Sequence, residues 1–449
     1  MRALLISTYD MGRQSFGLAS PAAWLREAGI EVACADLSKD RLSADVVRAS
    51  AVVGFFLPMH TATRLALPVI DRVRLLNPAA RLVAYGLYAP PNAELLRERG
   101  IDEILGGEFE SALVETVARV AAGGIPTVSK AVSGPLPRLA FKVPDRTGLP
   151  ALSRYAGLRV DGAKRIAGYT EASRGCKHRC RHCPIVPVYD GRFRIVAPEI
   201  VLADARAQAA AGAQHITFGD PDFFNGIRHA RVVVEGFARE LPGLTYDVTI
   251  KVEHLLQHAD TLRLLRETGC AFITSAVEAV DDRVLALLEK GHTRADFEQA
   301  VALCAAAGVP LSPTFVTFTP WTTIDSYREF LAEIDRLDLV EHVAPIQYAI
   351  RLLVTDKSRL LELEDIRRWV KRFDPVSLTY PWIHEDPRVD RLHAAVSTIV
   401  GAQTTAPRAE VFARIWEAAH GDAPAPFFRR QPVLPARASI PYLTEPWYC

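Results

Sequence analysis

The sequence lacks any marked excess of charge. Its 449 residues include 53 Lys and Arg against 52 Asp and Glu, which leaves a net charge of +1. A dedicated nucleic-acid-binding protein carries a basic excess, so nucleic acid is not an expected partner. No apolar run approaches the roughly 18 residues of a membrane-spanning helix, and the opening stretch, MRALLISTYD, does not have the pattern of a secretory signal. We therefore expect a cytoplasmic protein with no membrane association.

Several common binding motifs are also absent. No G-x-G-x-x-G follows the first predicted strand and no G-x-x-x-x-G-K-[ST] occurs anywhere, which disfavours a dinucleotide site and a P-loop. The chain has seven cysteines, and in a reducing compartment such residues are more often thiols or metal ligands than disulfides. Three of the seven fall within eight residues. This cluster is the strongest indication of function in the sequence.

The first 124 residues alternate short apolar runs with helical patterns. Strands are predicted at 3–7, 32–36, 52–57, 82–86 and 103–105. Helices are predicted between and after them, at 21–28, 62–76, 92–99 and 110–121. Strands that alternate with helices indicate a parallel sheet covered on both faces. Five such units predict a flavodoxin-like, doubly wound (Rossmann-like) domain, which binds ligands at the carboxyl ends of its strands.

A second alternating series begins near residue 165, after a stretch at 125–164 whose many Pro and Gly residues predict an extended linker. Its strand candidates are 165–169, 216–219, 246–250, 272–277, 311–318 and 343–352. Its helix candidates are 201–210, 228–239, 261–268, 294–306 and 324–336. Six β/α units fit a partial (β/α)6 barrel over 165–374, with its chemistry at the C-terminal ends of the strands. Residues 375–449 are expected to pack on the barrel as an extension.

The first strand of this series leads into EASRGCKHRCRHCPI, which places Cys176, Cys180 and Cys183 in a C-x3-C-x2-C array. Thiolates are soft ligands that suit an iron–sulfur cluster or zinc. A cubane cluster takes four ligands, so three cysteines leave one iron open to a substrate or cofactor. A zinc site that includes His178 or His182 and a chance grouping of structural cysteines are the alternatives.

The cysteine spacing resembles that of the radical SAM superfamily. The resemblance implies that Cys176, Cys180 and Cys183 hold a [4Fe–4S] cluster and that S-adenosylmethionine (SAM) binds the open iron. It implies that reduction of the cluster cleaves SAM to a 5′-deoxyadenosyl radical, with the protein supplying orientation and exclusion of water. An external electron donor, such as flavodoxin or ferredoxin, is then an expected partner.

Further positions match this superfamily in order along the barrel. The segment ITFGDPDFFN resembles the acidic motif that grips the SAM amino group, with Asp220 and Asp222 as candidates, although Gly-Asp-Pro-Asp is also typical of a turn. Glu278 matches the residue expected to bond the SAM ribose. The remaining candidates are Lys251 for the SAM carboxylate or as a surface lysine, Thr317 with Thr319 near the adenine or ribose, and Arg351 facing a carboxylate or the site.

A flavodoxin-like domain ahead of such a barrel resembles the cobalamin-binding domain of one large radical SAM class. The best match is RLVAYGLYAPPNAELLRERGIDEILGGEFESAL. In this stretch Gly106 and Gly107 resemble the glycine pair that follows the last strand of cobalamin-binding domains. The ligand motif D-x-H-x-x-G is missing, since the first strand is followed by Asp-Met-Gly. We therefore expect a base-off cobalamin with no histidine ligand from this loop. The other rim candidates are Ser7, Thr8, Tyr9, Gly86 and His60, the last with a helix cap as its alternative role. A nucleotide or flavin module and a purely structural domain are the alternatives for the domain as a whole.

The stretches PMHTATRLA, GLYA, SRGCKHRCRHCPIVPVYDG and TEPWYC together resemble a narrower radical SAM group. Chains of that group end on Cys-Cys-Ala-Glu-Pro or Cys-selenocysteine-Ala-Glu-Pro, and this sequence stops at Cys449, the first residue of that motif. The resemblance implies either that the tail is absent or that a selenocysteine codon was read as a stop. In the second case Cys449 would be one half of a catalytic thiol–selenol pair.

Together these resemblances predict a radical SAM enzyme that transfers a methyl group from methylcobalamin to an unactivated carbon or phosphorus of a small molecule. Two alternatives stand beside this prediction. One is radical chemistry without cobalamin, such as a rearrangement or alkyl transfer to a soft metalloid or thiol acceptor. The other is a metal-cluster regulator without catalysis.

Overall fold

The structure, a computed structural model, describes residues 1–123, 136–160, 162–403, 406–421 and 440–444. Its strands are β1 (Arg2–Ser7), β2 (Glu31–Asp36), β3 (Val52–Phe56), β4 (Arg81–Tyr85), β5 (Glu103–Leu105), β6 (Gly157–Val160), β7 (Ala163–Thr170), β8 (Ser173–Gly175), β9 (Phe193–Ile195), β10 (His215–Phe218), β11 (Thr245–Thr249), β12 (Cys270–Glu278), β13 (Leu311–Phe315) and β14 (Tyr442–Leu443).

The helices of the N-terminal half are α1 (Phe16–Glu27), α2 (Ala44–Arg48), α3 (His60–Leu76), α4 (Ala93–Glu98) and α5 (Glu110–Ala121). Those that follow are α6 (Val186–Tyr189), α7 (Pro198–Ala210), α8 (Ile227–Glu240), α9 (Val252–Gln257), α10 (Ala259–Glu267), α11 (Asp282–Leu287), α12 (Arg294–Ala307), α13 (Ile324–Arg336), α14 (Glu364–Trp369), α15 (Pro387–Ala402) and α16 (Arg408–His420). None of the helices in the described part of the chain is long and apolar enough to cross a bilayer.

The N-terminal domain is a parallel sheet in the order β2-β1-β3-β4-β5 with helices on both faces. Side chains alternate across β1, so that Leu4 and Ile6 join the core under α3 and α4 while Ala3 and Leu5 join the core under α1 and α5. The strand order is that of a flavodoxin-like fold, which confirms the predicted fold of this domain. The chain reverses its direction of winding between β1 and β3, and this crevice is where such sheets bind ligands.

The second sheet has the order β13-β12-β11-β10-β7-β6-β14, and β7 and β10 to β13 run parallel. Helices α7, α8, α10, α12 and α13 cover its outer face and share one large apolar core with it. The predicted α/β barrel is confirmed, but the sixth strand expected at 343–352 is wrong. Residues Pro345–Tyr348 form a 3-10 turn, and one bridge between Phe318 and Arg351 stands where the strand was expected. Pro345 has no amide hydrogen to donate, so it interrupts a strand ladder.

The described part of the predicted linker joins the two domains. Asp145 donates its amide hydrogen to the carbonyl of Ala19 on α1, and the Arg146 guanidinium bonds Asp204 on α7 at 2.8 Å. Further along, β6 forms an antiparallel hairpin with β7, so the segment expected to be extended contributes a strand to the barrel sheet.

The C-terminal segment packs on the barrel. Helices α15 and α16 bury Val396, Val411 and Phe412 in the barrel core, and β14 extends the sheet by pairing with β6. The Thr444 amide donates to the Gly157 carbonyl at 2.9 Å, which continues this pairing. Cys449, the candidate tail nucleophile, lies outside the described residues.

Candidate functional site

The three clustered cysteines lie on one loop at the mouth of the barrel. The loop starts at Gly175, whose φ of +76° and contact with the Tyr189 ring leave no room for a Cβ atom. Asn225 ties the loop to the end of β10, because its amide donates to the Gly175 carbonyl and its Oδ1 accepts from Lys177 N. A turn closes at 3.2 Å between Cys183 N and the Cys180 carbonyl. Hydrogen bonds within the protein therefore hold the conformation of this loop.

The thiols of this loop suit a metal cluster. Cys176, Cys180 and Cys183 are free of disulfides and lie within electrostatic reach of one another. Burial raises the pKa of Cys176 to about 11 and that of Cys183 to about 12. A coordinated metal deprotonates such thiols outright. Three thiolate donors on one buried loop fit a [4Fe–4S] cluster with one open iron.

Asp222 reaches the cluster loop from the end of β10. Its carboxylate lies 2.6 Å from His254 Nδ1 with both side chains fully buried, and it accepts from the Lys251 amide at 3.4 Å. The ligand atoms of Asp222, Cys176 and His178 all lie within 4.8 Å of one another. The Lys251 ammonium is also buried and lies 3.5 Å from Glu253. The structure thus brings Asp222 and Lys251 beside Cys176.

Asp220, the other candidate in the same motif, has a different environment. It accepts hydrogen bonds from the Ala172 amide at 2.9 Å and from the Ser173 hydroxyl at 2.5 Å. Burial raises its pKa to about 7 even though these hydrogen bonds lower it. Asp220 therefore holds the turn that leads into the cluster loop.

Glu278 ends β12 with a φ of +72°, an uncommon conformation for a residue with a Cβ atom. Its Oε1 lies 3.1 Å from His182 Nε2 and 3.3 Å from Lys290 Nζ. Burial alone would raise its pKa, but Lys290 and His182 lower it to about 2. Glu278 also lines a small cavity, of about 30 Å³, together with Thr317 and Thr319. These three candidates, predicted near the SAM ribose and adenine, are thus at one place.

Arg351 lies elsewhere. Its guanidinium bonds Asp390 of α15 at 2.7 Å and stacks 3.7 Å from the Trp382 ring. The expected carboxylate is present, but it belongs to the C-terminal segment. Arg351 fastens α15 to the barrel.

A second cavity, of about 210 Å³ and partly open to solvent, lies between the two domains. The N-terminal domain lines it with segments that follow β1, β3, β4 and β5, which include Arg13, Met59, Gly86 and Gly107. The barrel contributes Tyr169 and the residues that lead into the cluster loop, Ser173, Arg174 and Gly175. The cavity therefore joins the ligand crevice of the first domain to the cluster loop of the second.

Only some of the residues predicted at the rim of the N-terminal sheet line this cavity. Gly86 has a φ of +107°, and a Cβ there would come within 2.8 Å of the Leu57 carbonyl oxygen, so the wall requires glycine. Of the predicted rim residues, the described lining includes Gly86 and Gly107 and leaves out Ser7, Thr8, Tyr9, Gly106 and His60. His60 Nε2 is 2.6 Å from the Ser377 carbonyl, and the Thr8 hydroxyl donates to the Ala62 carbonyl.

Sequence reasoning missed Arg174, two residues before the first cluster cysteine. This buried guanidinium bonds Glu110 and Glu171 at 2.7 Å each and Glu108 at 3.4 Å. Burial raises the pKa of both Glu108 and Glu171, although Arg174 lowers it. Arg174 thus connects the entrance of the cluster loop to the last strand–helix turn of the N-terminal domain. Acidic residues directly after the glycine pair, in GGEFE, were the available signal.

Comparison with known families gives a match over the region that contains this loop. Residues 170–334 match the model of the radical SAM superfamily. The chain contains a radical SAM domain. A radical SAM domain implies a [4Fe–4S] cluster and SAM as cofactors, and the thiols and charged groups described above fit both. The zinc alternative for the three cysteines loses its support.

The curated proteins that this chain resembles include methylthiotransferases. The chain is 26% identical to the tRNA-2-methylthio-N(6)-dimethylallyladenosine synthase of Chlorobaculum tepidum over 49% of this chain and 53% of that protein. It is 23% identical to the ribosomal protein uS12 methylthiotransferase RimO of Desulfotalea psychrophila over 72% of this chain and 70% of that protein. The chain thus spans about half the length of the first of these relatives.

Solved structures of cobalamin-dependent enzymes share most of the fold of this chain. The radical enzyme OxsB, with aqua-cobalamin and SAM bound, superposes with a TM-score of 0.69 at 14% identity, over 90% of this chain and 67% of that one. The methyltransferase TsrM from Kitasatospora setae, with tryptophan and a SAM analogue bound, gives a TM-score of 0.61 at 20% identity, over 75% of this chain and 71% of that one. The likeness extends over both domains and concerns the fold.

Proposed function

We propose that this protein is a cobalamin-dependent radical SAM enzyme that methylates an unactivated carbon or phosphorus of a small molecule. The observation that carries the proposal is the interdomain cavity. It lies at the crevice where a flavodoxin-like sheet binds ligands, and its far wall is the start of the cluster loop. A ligand there would face the cluster loop directly.

When bound, the cluster and SAM supply a reductively generated 5′-deoxyadenosyl radical, and cobalamin supplies a methyl group. Cys176, Cys180 and Cys183 would ligate the cluster. Asp222 would accept the SAM amino group, and the Lys251 ammonium would pair with the SAM carboxylate. Both side chains are buried beside Cys176, where the low dielectric strengthens such contacts.

The ribose and adenine of SAM would lie toward Glu278 and Thr317. Glu278 is ionised over the whole neutral range, because Lys290 and His182 hold its pKa low, so it can accept hydrogen bonds from the two ribose hydroxyls. Since Asp220 is occupied by the turn it holds, its proposed role is to fix the loop that presents Cys176.

The flat corrin ring would lie against the apolar walls of the interdomain cavity. Gly17, Gly86 and Gly107 are among the residues of this wall, and a Cβ at each would collide with neighbouring protein atoms. No histidine is among the described residues that line the cavity, and His60 is engaged with Ser377. These contacts support a cobalamin without a histidine ligand from this domain.

Methylthio transfer is the second candidate, because the curated relatives of the chain carry that activity in their names. It needs a transferable sulfur atom in addition to SAM, and thiolates are the groups that hold sulfur-bearing clusters. The N-terminal 175 residues contain one cysteine, Cys34, which offers too few thiolates for a second cluster. This observation favours methylation.

The proposal is tested by anaerobic reconstitution with iron, sulfide and cobalamin, followed by addition of SAM and a reductant. We expect 5′-deoxyadenosine from the reduced protein and S-adenosylhomocysteine only when cobalamin has been added. A protein with a full cluster that yields neither product would contradict the proposal and favour a metal-cluster regulator. Deoxyadenosine without any cobalamin-dependent product would favour radical chemistry that needs no cobalamin. Detection of methylthio products would favour the second candidate.

The partners and the tail remain predictions. A small-molecule substrate and a low-potential electron donor, such as flavodoxin or ferredoxin, follow from the proposed reaction. The role of Cys449 is tested most simply by reading the codon that follows it. A stop codon other than UGA, with no Ala-Glu-Pro downstream, would end the selenoprotein hypothesis.

A further inference from the structure

A buried lysine lies beside the cluster loop and has no place in the SAM contacts proposed above. Lys290 is 3% exposed, and its ammonium lies within electrostatic reach of the Cys180 and Cys183 thiols. Its described partner is Glu278, 3.3 Å away. Removing an ammonium from water costs several kcal/mol unless neighbouring charges compensate, so this position needs an explanation.

The backbone holds Lys290 in this position from both sides. The cluster loop is bonded to the end of α11, because Arg181 donates its amide to the Leu288 carbonyl at 3.0 Å and its guanidinium to the Leu287 carbonyl at 2.8 Å. Glu289 and Gly291, which flank Lys290, have φ of +52° and +77°. Such a conformation is strained for a residue with a Cβ atom, such as glutamate.

These two turns separate the neighbouring side chains. Glu289 points outward to Arg181 at 2.6 Å with its side chain 38% exposed, whereas the side chain of Lys290 is 4% exposed. The chain thus uses a strained turn, anchored on the cluster loop itself, to carry a positive charge inward. The Glu278 carboxylate pairs with this buried ammonium. Glu278 itself has a strained backbone, with a φ of +72°.

We propose that Lys290, buried on a turn that is bonded to the cluster loop, is a positioning residue that raises the reduction potential of the [4Fe–4S] cluster. Reduction adds one electron, from an external low-potential donor, and makes or breaks no bond to the protein. A fixed buried cation stabilises the more negative, reduced cluster more than the oxidised one, and net charge near a cluster is one determinant of its potential. Glu278 opposes this effect and aligns the ammonium. The inference depends on the cluster and not on cobalamin.

Because Lys290 and Glu278 carry opposite charges, replacing each should shift the midpoint potential of the cluster in opposite directions. K290Q removes the cation and is expected to lower the midpoint potential of the cluster. E278Q removes the opposing anion and is expected to raise it. K290R keeps the charge and is expected to stay near the wild-type value. The matched control is K177Q, because Lys177 is adjacent to Cys176 in sequence but its side chain is exposed, where solvent and salt screen its charge.

The measurement is a potentiometric titration of the reconstituted proteins without SAM, followed by electron paramagnetic resonance of the reduced cluster. The account predicts a fall of at least 59 mV for K290Q, which is a tenfold change in a one-electron equilibrium, a rise for E278Q, and shifts well below 59 mV for K290R and K177Q. Thermal denaturation and iron content are measured on the same samples.

A purely structural role for Lys290 would lower thermal stability or iron content in K290Q and E278Q alike and leave both midpoints unchanged, and that result would overturn the inference. If K290Q retains no cluster, E278Q decides alone: a raised midpoint supports the inference, and an unchanged or lowered one overturns it. If the wild-type protein takes up no cluster, the proposed function fails together with the inference. An unchanged midpoint in a fully loaded K290Q protein affects the inference only.

Discussion

The cluster loop and the interdomain cavity are built in opposite ways. The loop is surrounded by buried charges, Asp222, Lys251, Glu278 and Lys290, all on segments of one barrel close together in sequence and sheet order. The cavity is lined largely by apolar residues and glycines, and its two walls come from different domains. In the proposed function, the first region would hold the small charged groups of SAM and the second would bind the large corrin ring. Variants should therefore disable one region while leaving the other intact.

The largest effect is expected from C183A. Loss of one of three thiolates should abolish cluster retention and reductive cleavage of SAM, because the described part of this loop has no fourth thiol that could replace it. Cobalamin uptake should persist, since Cys183 is not part of the cavity wall. Iron, sulfide and cobalt analysis checks both statements.

The control for this loss is C304A, which changes a buried cysteine in the barrel core and should keep the iron. Equal loss of iron in both variants would show that the thiols act through folding and would contradict the assignment.

The next largest effects distinguish Asp222 from Asp220, because one variant should weaken SAM binding and the other should lower stability. D222N should weaken SAM binding to the cluster-loaded protein about 10- to 100-fold, the effect of losing a charged hydrogen-bond partner. D220N should leave SAM affinity within about threefold and lower the free energy of unfolding by about 1–3 kcal/mol, because Asp220 accepts two hydrogen bonds within the protein. Isothermal calorimetry and denaturant unfolding distinguish them. The reverse pattern would exchange the two roles.

The cavity is tested by filling it. M59W places a large ring at a residue of the wall and should lower cobalamin occupancy at least tenfold while iron content stays at the wild-type value. H60A is the neighbouring control and should keep its cobalamin, because His60 faces Ser377. A cobalt–nitrogen coupling that disappears from the resonance spectrum of H60A would identify His60 as a ligand and refute the predicted coordination.

The smallest effect concerns pH. The pKa of Asp220 is about 7 in the folded protein against 3.8 for the ordinary side chain. Between these values the folded state keeps a proton that the unfolded state has lost, so stability falls as the pH rises from about 4 to 7. Asp10, raised to about 7 by burial, acts in the same direction. D220N should show a shallower decline of thermal midpoint between pH 5 and pH 8 than the wild type. An identical slope would contradict the assigned protonation.

Much of the barrel could be predicted because its signals are local. Helix α13 was predicted at its observed bounds, since Thr323 caps it and its apolar residues recur at helical spacing. The cysteine array and Asp222 were visible because their spacing is short and tied to strand ends. The wrong sixth strand shows the limit, since an apolar run looked like a strand although Pro345 interrupts it.

The features that were missed depend on distant contacts. Lys290 and Arg174 are buried because other segments fold over them, and nothing in their own neighbourhoods in the sequence marks a lysine or an arginine as internal. The cavity depends on the docking of two domains through Arg146, Arg174 and Tyr155. The predicted rim residues Ser7 and Thr8 lie at the correct strand end but turn into the domain, because the side-chain direction depends on the final packing.

The central claim is that two cofactor sites face one another across the domain boundary, and the metal content of the anaerobically reconstituted chain tests it most directly. The account predicts four iron atoms and one cobalt atom for each wild-type chain, loss of iron alone in C183A and loss of cobalt alone in M59W. A wild-type chain that binds iron but no cobalt would contradict the account.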